Sequence, residues 1–256
     1  MTLEGVVDME LKNLISESKE TKVYKCDKYA VKVYEEGVPK TEVLNTALVH
    51  SLVEGTGLSV PKIREVSRID GKWAISTKFV EGKNLRQLME ENPDKLEEYI
   101  NLMVDIQLQI HARRVPTLPK LKYQLRTNIE SLDELDDIKK YELLTRLESM
   151  PKHIKLCHGN FEPGNIIIGK DDTYIVDWKL ATQGNASADV GKTYMMFSLE
   201  DSKKAELYLD TFCKKSNTAK RYVQEWLPII AAARLKENKP EEKDLLMKWL
   251  DVVDYD

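Results

Sequence analysis

One short segment past the middle of the chain gathers side chains of the kind that hold metal ions and position reacting groups. It reads LCHGNFEPGNIII over residues 156–168, and the run YIVD that follows ends in an acid. The polar residues concerned are His158, Asn160, Glu162, Asn165 and Asp177. Carboxylate and amide oxygens are ligands that Mg²⁺ prefers. Asp and Asn are also common turn formers, so the hypothesis of a metal site depends on the ordered set rather than on any single residue.

The order of these residues resembles the catalytic and metal-binding loops of the aminoglycoside phosphotransferases, choline kinases and related small-molecule kinases of the protein-kinase-like superfamily. The pattern of that family is His-x-Asp, four residues, then Asn, followed by a strand that ends in Asp. Residues 181–194 (ATQGNASADVGKTY) resemble the segment that follows the metal-binding Asp, and residues 226–235 (WLPIIAAARL) resemble a late helix of bacterial members. The resemblance covers nearly the whole chain and is most specific over residues 156–194.

The resemblance implies a role for each matching residue. Asp177 and Asn165 are expected to bind the Mg²⁺ that bridges the phosphates of ATP or GTP. Lys32, in the strand-like run AVKVY, corresponds to the lysine that holds the α- and β-phosphates. The carbonyl of Lys78 and the N–H of Val80 are expected to meet the edge of the adenine.

Further residues are assigned to support rather than to chemistry. By the same resemblance, His158 props the catalytic loop, and Asp189 accepts backbone N–H bonds from it. The remaining histidines, His50, His111 and His153, match no motif and are interpreted as surface or satisfied core residues.

The position of the catalytic acid departs from the family. Asn160 stands where the family has the Asp that orients the acceptor hydroxyl and takes its proton. An amide can accept a hydrogen bond from that hydroxyl but cannot remove its proton at neutral pH. Glu162, two residues later, is a candidate for a displaced catalytic base or a metal ligand; the alternative is that it points to solvent.

The amino-terminal part carries two further departures. The helix after Lys32 lacks the expected Glu near residues 46–48, and Glu42 is the nearest acid. The turn over residues 15–21 (ISESKET) lacks the glycines that allow a backbone to approach phosphates closely, although many small-molecule kinases are glycine-poor there.

Two functions of different classes therefore remain open. The first is an ATP-dependent kinase that phosphorylates a hydroxyl of a small molecule, slowly or with a displaced base. The second is a catalytically inactive pseudokinase that binds nucleotide and acts as a regulatory or binding module. A third account treats Asn160 as an introduced substitution, against which the absent helix Glu argues because it indicates broader divergence.

The elements around these motifs predict an α+β protein of two lobes, and the resemblance implies that these form a protein-kinase-like fold. Strand-like runs and one helix dominate the first part, and amphipathic helices with a few short strands dominate the rest. We predict an amino-terminal nucleotide-binding lobe over residues 1–80 and a larger helical lobe with the catalytic and metal-binding loops over residues 81–256. The predicted strands are 22–26, 29–34, 60–63, 73–80, 154–156, 165–168 and 174–176, and the predicted helices are 41–54, 96–113, 139–148, 203–214 and 219–236.

Composition narrows the partners. The chain has 256 residues, 39 Lys and Arg, 43 Asp and Glu, and a net charge of -4. The two signs are interleaved, which argues against nucleic-acid binding and against a polybasic membrane anchor. No apolar run reaches the ~18 residues of a membrane span, and the first residues do not form a signal peptide. Three widely spaced cysteines predict neither a disulfide framework nor a zinc site, and a cytoplasmic location is expected.

Overall fold

The computed structural model describes residue 11 and residues 13–250, and the chain divides into two compact units. The first unit contains the described residues up to Lys83 together with Ile166–Lys179. The second contains Asn84–Asn165 and the described residues from Leu180 onward. The predicted division into residues 1–80 and 81–256 remains a prediction; the units differ from it in assigning Ile166–Lys179 to the first.

The first unit is built on a five-stranded antiparallel sheet with the strand order β1-β2-β3-β5-β4. Tight turns that contain Asp27 and the pair Asp70–Gly71, all with positive φ, connect β2 to β3 and β4 to β5. Asp and Gly tolerate this left-handed conformation best. The strands are Leu14–Glu17 (β1), Thr21–Cys26 (β2), Tyr29–Tyr34 (β3), Ile63–Ile69 (β4) and Lys72–Lys78 (β5).

Helix α1, Lys40–Glu54, covers one face of this sheet. Its residue Val43 is fully buried and joins Tyr34 and Ile75 in one apolar cluster. The neighbouring residues of β3, Val31 and Val33, face the other way and belong to a different cluster. This alternation follows from the two-residue period of a strand. Lys32 therefore shares the face of Tyr34, which is the face that α1 covers.

A smaller sheet consists of β6 (Gly82–Asn84), β8 (Ile166–Gly169) and β9 (Thr173–Ile175), in the order β6-β8-β9. Strands β8 and β9 belong to the first unit and pair antiparallel. The N–H of Ile175 donates to the carbonyl of Ser59 at 3.0 Å, which ties the hairpin to the rest of the first unit.

The second unit is helical and contains one short antiparallel pair of strands, β7 (Lys155–Cys157) with β10 (Thr182–Gly184). Buried residues of α3 recur at positions 100, 103, 107 and 110, the spacing of one helix face. The helices are Leu85–Glu91 (α2), Leu96–His111 (α3), Leu121–Glu130 (α4), Asp137–Ser149 (α5), Ala186–Glu200 (α6), Ser202–Ser216 (α7), Lys220–Gln224 (α8), Leu227–Leu235 (α9) and Pro240–Trp249 (α10).

The core of the second unit is centred on α9, all of whose residues are buried. Helices α4, α5 and α10 pack around it, with Trp226 and Ile229 among the fully buried residues. None of the helices in the described part of the chain is long and apolar enough to span a membrane. The predicted α+β class is confirmed: the first part is rich in antiparallel sheet and the rest is mainly helical.

Two predictions of secondary structure were wrong. Residues 219–236 form two helices rather than one, because Pro228 lies in the first turn of α9 and lacks the N–H that a continuous helix needs there. The strand predicted at residues 60–63 is instead β4, Ile63–Ile69. It lies at the edge of the sheet, where polar residues such as Arg64 and Arg68 are tolerated and hide the strand signal.

Candidate functional site

In the first unit, two of the predicted site residues meet. The ammonium Nζ of Lys32 lies 2.9 Å from Oδ1 of Asp177, although the residues are 145 positions apart. The side chains are 27% and 21% exposed, so solvent reaches both charges. Asp177 follows β9 with φ +62°, a left-handed conformation that Asp adopts more readily than most residues with a side chain. The fold thus holds an acid against the strand lysine.

Helix α1 provides no other acid for Lys32. The positions where the sequence comparison expected a Glu are occupied by residues such as Thr46 and Leu48, and Glu42 is exposed. Among the described residues, Asp177 is the one carboxylate within ion-pair distance of Lys32. On the same face of β3, burial raises the pKa of Tyr34 to about 12, so this phenol stays neutral. Asp177 is therefore the counter-ion of the lysine.

The end of β5 is the predicted contact for a base. The N–H of Lys78 donates to the carbonyl of Lys62 at 2.9 Å, and the N–H of Phe79 donates to the carbonyl of Lys28 at 2.9 Å. These bonds fix the backbone from both neighbouring strands. The contacts predicted for the carbonyl of Lys78 and the N–H of Val80 with an adenine stay predictions.

In the second unit, hydrogen bonds within the loop from His158 to Asn165 hold its conformation. Nδ2 of Asn165 donates to the carbonyl of Asn160 at 2.9 Å, and the N–H of Asn165 donates to the carbonyl of Glu162 at 3.0 Å. Because the amide nitrogen is used in this way, Oδ1 of Asn165 is the atom left to coordinate a cation. The amide oxygen of Asn165 and the carboxylate of Asp177 are each a type of ligand that Mg²⁺ accepts, and their binding of one ion stays a prediction.

Asp189 supports this loop by accepting hydrogen bonds from its backbone, as predicted. Its carboxylate is buried in the first turn of α6 and accepts N–H bonds from Gly159 at 2.7 Å and from His158 at 3.2 Å. Nε2 of His111 lies 2.9 Å from the same carboxylate. Burial alone raises the pKa of Asp189, but the hydrogen bond and charge of His111 and the N–H of Gly159 outweigh it, so the net shift is downward.

His111 is a core residue, as expected, but its role is larger than the sequence indicated. It ends α3 and joins that helix through Asp189 to the loop that carries Asn160. The two partners are 78 positions apart, and a lone His near a helix end gives no sequence signal of such a pairing. By contrast, His50 binds the carbonyl of Pro61 at 2.7 Å, and His153 is exposed.

Gly159 is required by this geometry, and its replacement by Ala is expected to destabilise the protein by roughly 2–5 kcal/mol. Its φ of +77° strains any L side chain, and a Cβ there would overlap the carbonyl oxygen of Leu180. Urea unfolding measures the loss. Gly57→Ala is the matched control, because Gly57 has the same φ but nothing within 4 Å of its Cβ position. Equal losses for the two variants would contradict the overlap.

Glu162 is paired with an arginine that sequence reasoning did not identify. Oε2 of Glu162 lies 2.9 Å from Nη2 of Arg86, whose Nη1 binds Glu200 at 2.9 Å. Arg86 lies in α2, 76 positions before Glu162, with no motif around it. The ion pair occupies Oε2 of Glu162 and ties its side chain to α2. This pairing argues against Glu162 as the substitute base.

A family model and several solved structures match the chain. A model of the phosphotransferase enzyme family (APH) matches residues 15–235. None of the curated protein sequences matches the chain significantly.

Several solved structures share the fold. Aminoglycoside phosphotransferase APH(4)-Ia in its apo form, as a thermostable mutant, is 13% identical with a TM-score of 0.68, over 93% of this chain and 91% of that one. ADP-bound aminoglycoside phosphotransferase APH(2'')-Ib is 13% identical with a TM-score of 0.59, over 94% and 92%. A choline/ethanolamine kinase family protein from Mesorhizobium loti is 11% identical with a TM-score of 0.58, over 93% and 83%.

Identities this low show a shared fold alone. The family match shows membership as well as fold, because it spans most of the chain. The matched range includes every residue predicted for the site. The chain belongs to the phosphotransferase enzyme family.

Proposed function

We propose that the chain is a cytoplasmic phosphotransferase that binds Mg²⁺ with ATP or GTP and transfers a phosphoryl group to a hydroxyl of a small molecule. The observation that carries the proposal is the ion pair of Lys32 with Asp177 at 2.9 Å. A metal-bound nucleotide offers an anion to the lysine and a cation to the acid. The pair is thus suited to open around such a ligand with both charges satisfied.

The chain's residues divide the work in this proposal. Lys32 binds phosphate oxygens, and Lys78 and Val80 hold the base through their backbone groups. Asp177 and Asn165 supply the oxygens for Mg²⁺, which neutralises phosphate charge when bound. Because α1 provides no acid for Lys32, the lysine loses its counter-ion when Asp177 turns to the metal. Binding of metal and of phosphate should therefore favour each other, as reciprocal coupling requires.

Asn160 positions the acceptor in this proposal without activating it fully. Its amide oxygen can accept the hydrogen bond of a hydroxyl and hold it in line with the transferred group. The transition state of phosphoryl transfer is loose, so positioning and electrostatics supply most of the catalysis. A chain without a strong base is consequently expected to transfer phosphate slowly rather than not at all.

A regulatory, non-catalytic function is the second candidate. It is favoured by Asn160 together with the pairing of Glu162 with Arg86, since Glu162 is the one acid in the loop 158–165. Under this alternative Lys32, Asn165 and Asp177 still bind the nucleotide. The nucleotide-bound protein then regulates or binds a partner and does not catalyse a reaction. Nucleotide binding alone does not separate the two functions, but phosphoryl transfer does.

Binding of Mg-ATP is expected to raise the melting temperature of the protein. A ligand at about 100 times its Kd adds about 2.7 kcal/mol, which corresponds to roughly 5–10 °C for a chain of this size. Asp177→Ala should reduce the shift strongly, because the metal and the lysine both lose their partner. Differential scanning fluorimetry with ATP and with GTP, each with Mg²⁺ or EDTA, measures the effect.

Asp171→Ala is the matched control for this experiment. Asp171 is an exposed acid in the turn between β8 and β9, on the same hairpin as Asp177, and nothing assigns it to the site. Its removal should leave the shift unchanged. If millimolar Mg-ATP leaves the melting temperature unchanged, both the phosphotransferase and the regulatory function are contradicted.

A further inference from the structure

The second unit contains a cavity of about 230 Å³ that none of the assigned roles uses. It is lined by residues of α4, α6 and α9 and by Gly159, whose chain neighbour is Asn160. The cavity therefore lies beside the loop that carries the residue expected to hold an acceptor hydroxyl. Its volume is below the usual ~300–1,000 Å³ of sites for drug-sized ligands and suits a molecule of monosaccharide size.

Two amide side chains of α4, Gln124 and Asn128, line the cavity one helical turn apart. Carboxamides both donate and accept hydrogen bonds, which matches the hydroxyl groups of a sugar or polyol. The apolar part of the lining comes from residues such as Leu125 and Ile230, which suit the C–H faces of such a ring. The lining thus combines the features of a site for a small polyhydroxylated molecule.

The acids in the lining are already neutralised. Asp189 is occupied by His111 and two backbone N–H groups. Glu237 lies 3.2 Å from Arg234 and 3.6 Å from Lys239. Among the described residues, no acid of the lining is therefore left to receive the ammonium groups of a cationic acceptor.

The cations of the lining are less fully neutralised. Arg234 is bound by Glu242 at 2.6 and 2.8 Å, but Lys236 is exposed and donates to a neutral partner, Oδ1 of Asn128, at 3.3 Å. Within the described part of the chain, the ammonium of Lys236 has no carboxylate at ion-pair distance. The charge beside the amides that has no carboxylate partner among the described residues is thus the positive charge of Lys236.

We infer that this cavity binds the phosphate acceptor, and that the acceptor is a polyhydroxylated molecule of monosaccharide size that carries a negative charge. The inference rests on the proposed function, which it makes more specific. The amides of Gln124 and Asn128 bind hydroxyls, Lys236 binds the anionic group, and one hydroxyl lies towards Asn160. A polycationic antibiotic is the opposite kind of ligand, because it needs acids that this cavity does not offer.

Three matched monosaccharides test the inference: D-glucuronate, D-glucose and D-glucosamine, which are anionic, neutral and cationic. Saturation-transfer NMR and calorimetry on the full chain at low salt, with and without Mg²⁺ and an ATP analogue, give their affinities. We expect glucuronate to bind at least tenfold more tightly than glucosamine, with glucose between them. Low salt is needed because the charge of Lys236 is exposed and screened.

Lys236→Glu should reverse the order of the three sugars, and Lys214→Glu should leave it unchanged. Lys214 is an exposed lysine of α7 outside the cavity, so it controls for the change in net charge. Three results would each overturn the inference: glucosamine bound as tightly as glucuronate, an order that survives Lys236→Glu, or no binding of any of the sugars.

Failure of the proposed function gives a different result. The affinities are equilibrium quantities and need no phosphoryl transfer. A chain that ranks the sugars as expected but does not bind Mg-ATP would contradict the phosphotransferase function and leave the class of ligand standing. A chain that binds Mg-ATP but prefers glucosamine would contradict the class of ligand alone.

Discussion

Replacement of Asn160 by Asp is expected to raise phosphoryl transfer by roughly 100- to 10,000-fold, the usual contribution of a general base. The substitution restores the carboxylate that the family carries two residues after its His and five before its Asn. The rest of the loop is already organised: Asn165 is fixed to the carbonyl of Asn160, and Asp189 holds the backbone of Gly159. A base placed on this loop should thus act without further change.

The experiment compares four proteins: the unmodified chain, Asn160→Asp, Glu162→Gln and the double variant. ATP turnover is measured with a panel of sugars, polyols and their acids. Because Glu162 is held by Arg86 at 2.9 Å, we expect Glu162→Gln to change turnover far less than Asn160→Asp does. The double variant should then behave like Asn160→Asp.

The reverse pattern would identify Glu162 as the working base. The unmodified chain would be active, Glu162→Gln would abolish the activity, and Asn160→Asp would change little. Absence of turnover in all four proteins, with binding of Mg-ATP intact, would leave the regulatory function as the one that stands. Each pattern is distinct, so the assay decides between the three interpretations of this loop.

The features of the site that were predictable are those carried by residue type and order. The family resemblance assigned Lys32 and Asp177 to one nucleotide site, and their charges meet at 2.9 Å. The support of the loop by Asp189 also followed from the motif and is observed. Residue type and order at these positions are specific enough to predict the contacts without knowledge of how the helices and strands pack.

The partners that sequence reasoning missed are non-local. Arg86 and His111 reach Glu162 and Asp189 across 76 and 78 positions, and neither lies in a motif. Their pairing is fixed by how α2 and α3 pack, which no local pattern encodes. Helix α4 was missed for a related reason: exposed residues such as Tyr123 interrupt its polar face, and its apolar residues are recognisable only once α9 is packed against them.

The second large effect concerns stability. Asp189→Ala is expected to lower the free energy of unfolding by about 3–5 kcal/mol, as removal of one partner of a buried ion pair commonly does. The carboxylate is buried and joins three parts of the second unit: His111 at the end of α3, the loop at Gly159, and α6. Its loss leaves the imidazole and the N–H groups of Gly159 and His158 without their acceptor. Urea unfolding monitored by tryptophan fluorescence measures the change.

Asp210→Ala is the matched control, because Asp210 is an exposed helical acid that forms a surface ion pair with Lys220. Its loss should cost no more than about 1 kcal/mol.

The pH dependence gives a second check on Asp189. The pKa of its carboxyl is lowered in the folded protein, so its contribution is complete above the pKa of the unfolded chain, about 4. That contribution is lost as the pH falls through the lower, folded pKa. The difference in stability between the unmodified protein and Asp189→Ala should therefore be larger at about pH 5 than below about pH 4, where it narrows. A difference that widens in acid would show that the ionised carboxylate is not what holds the loop.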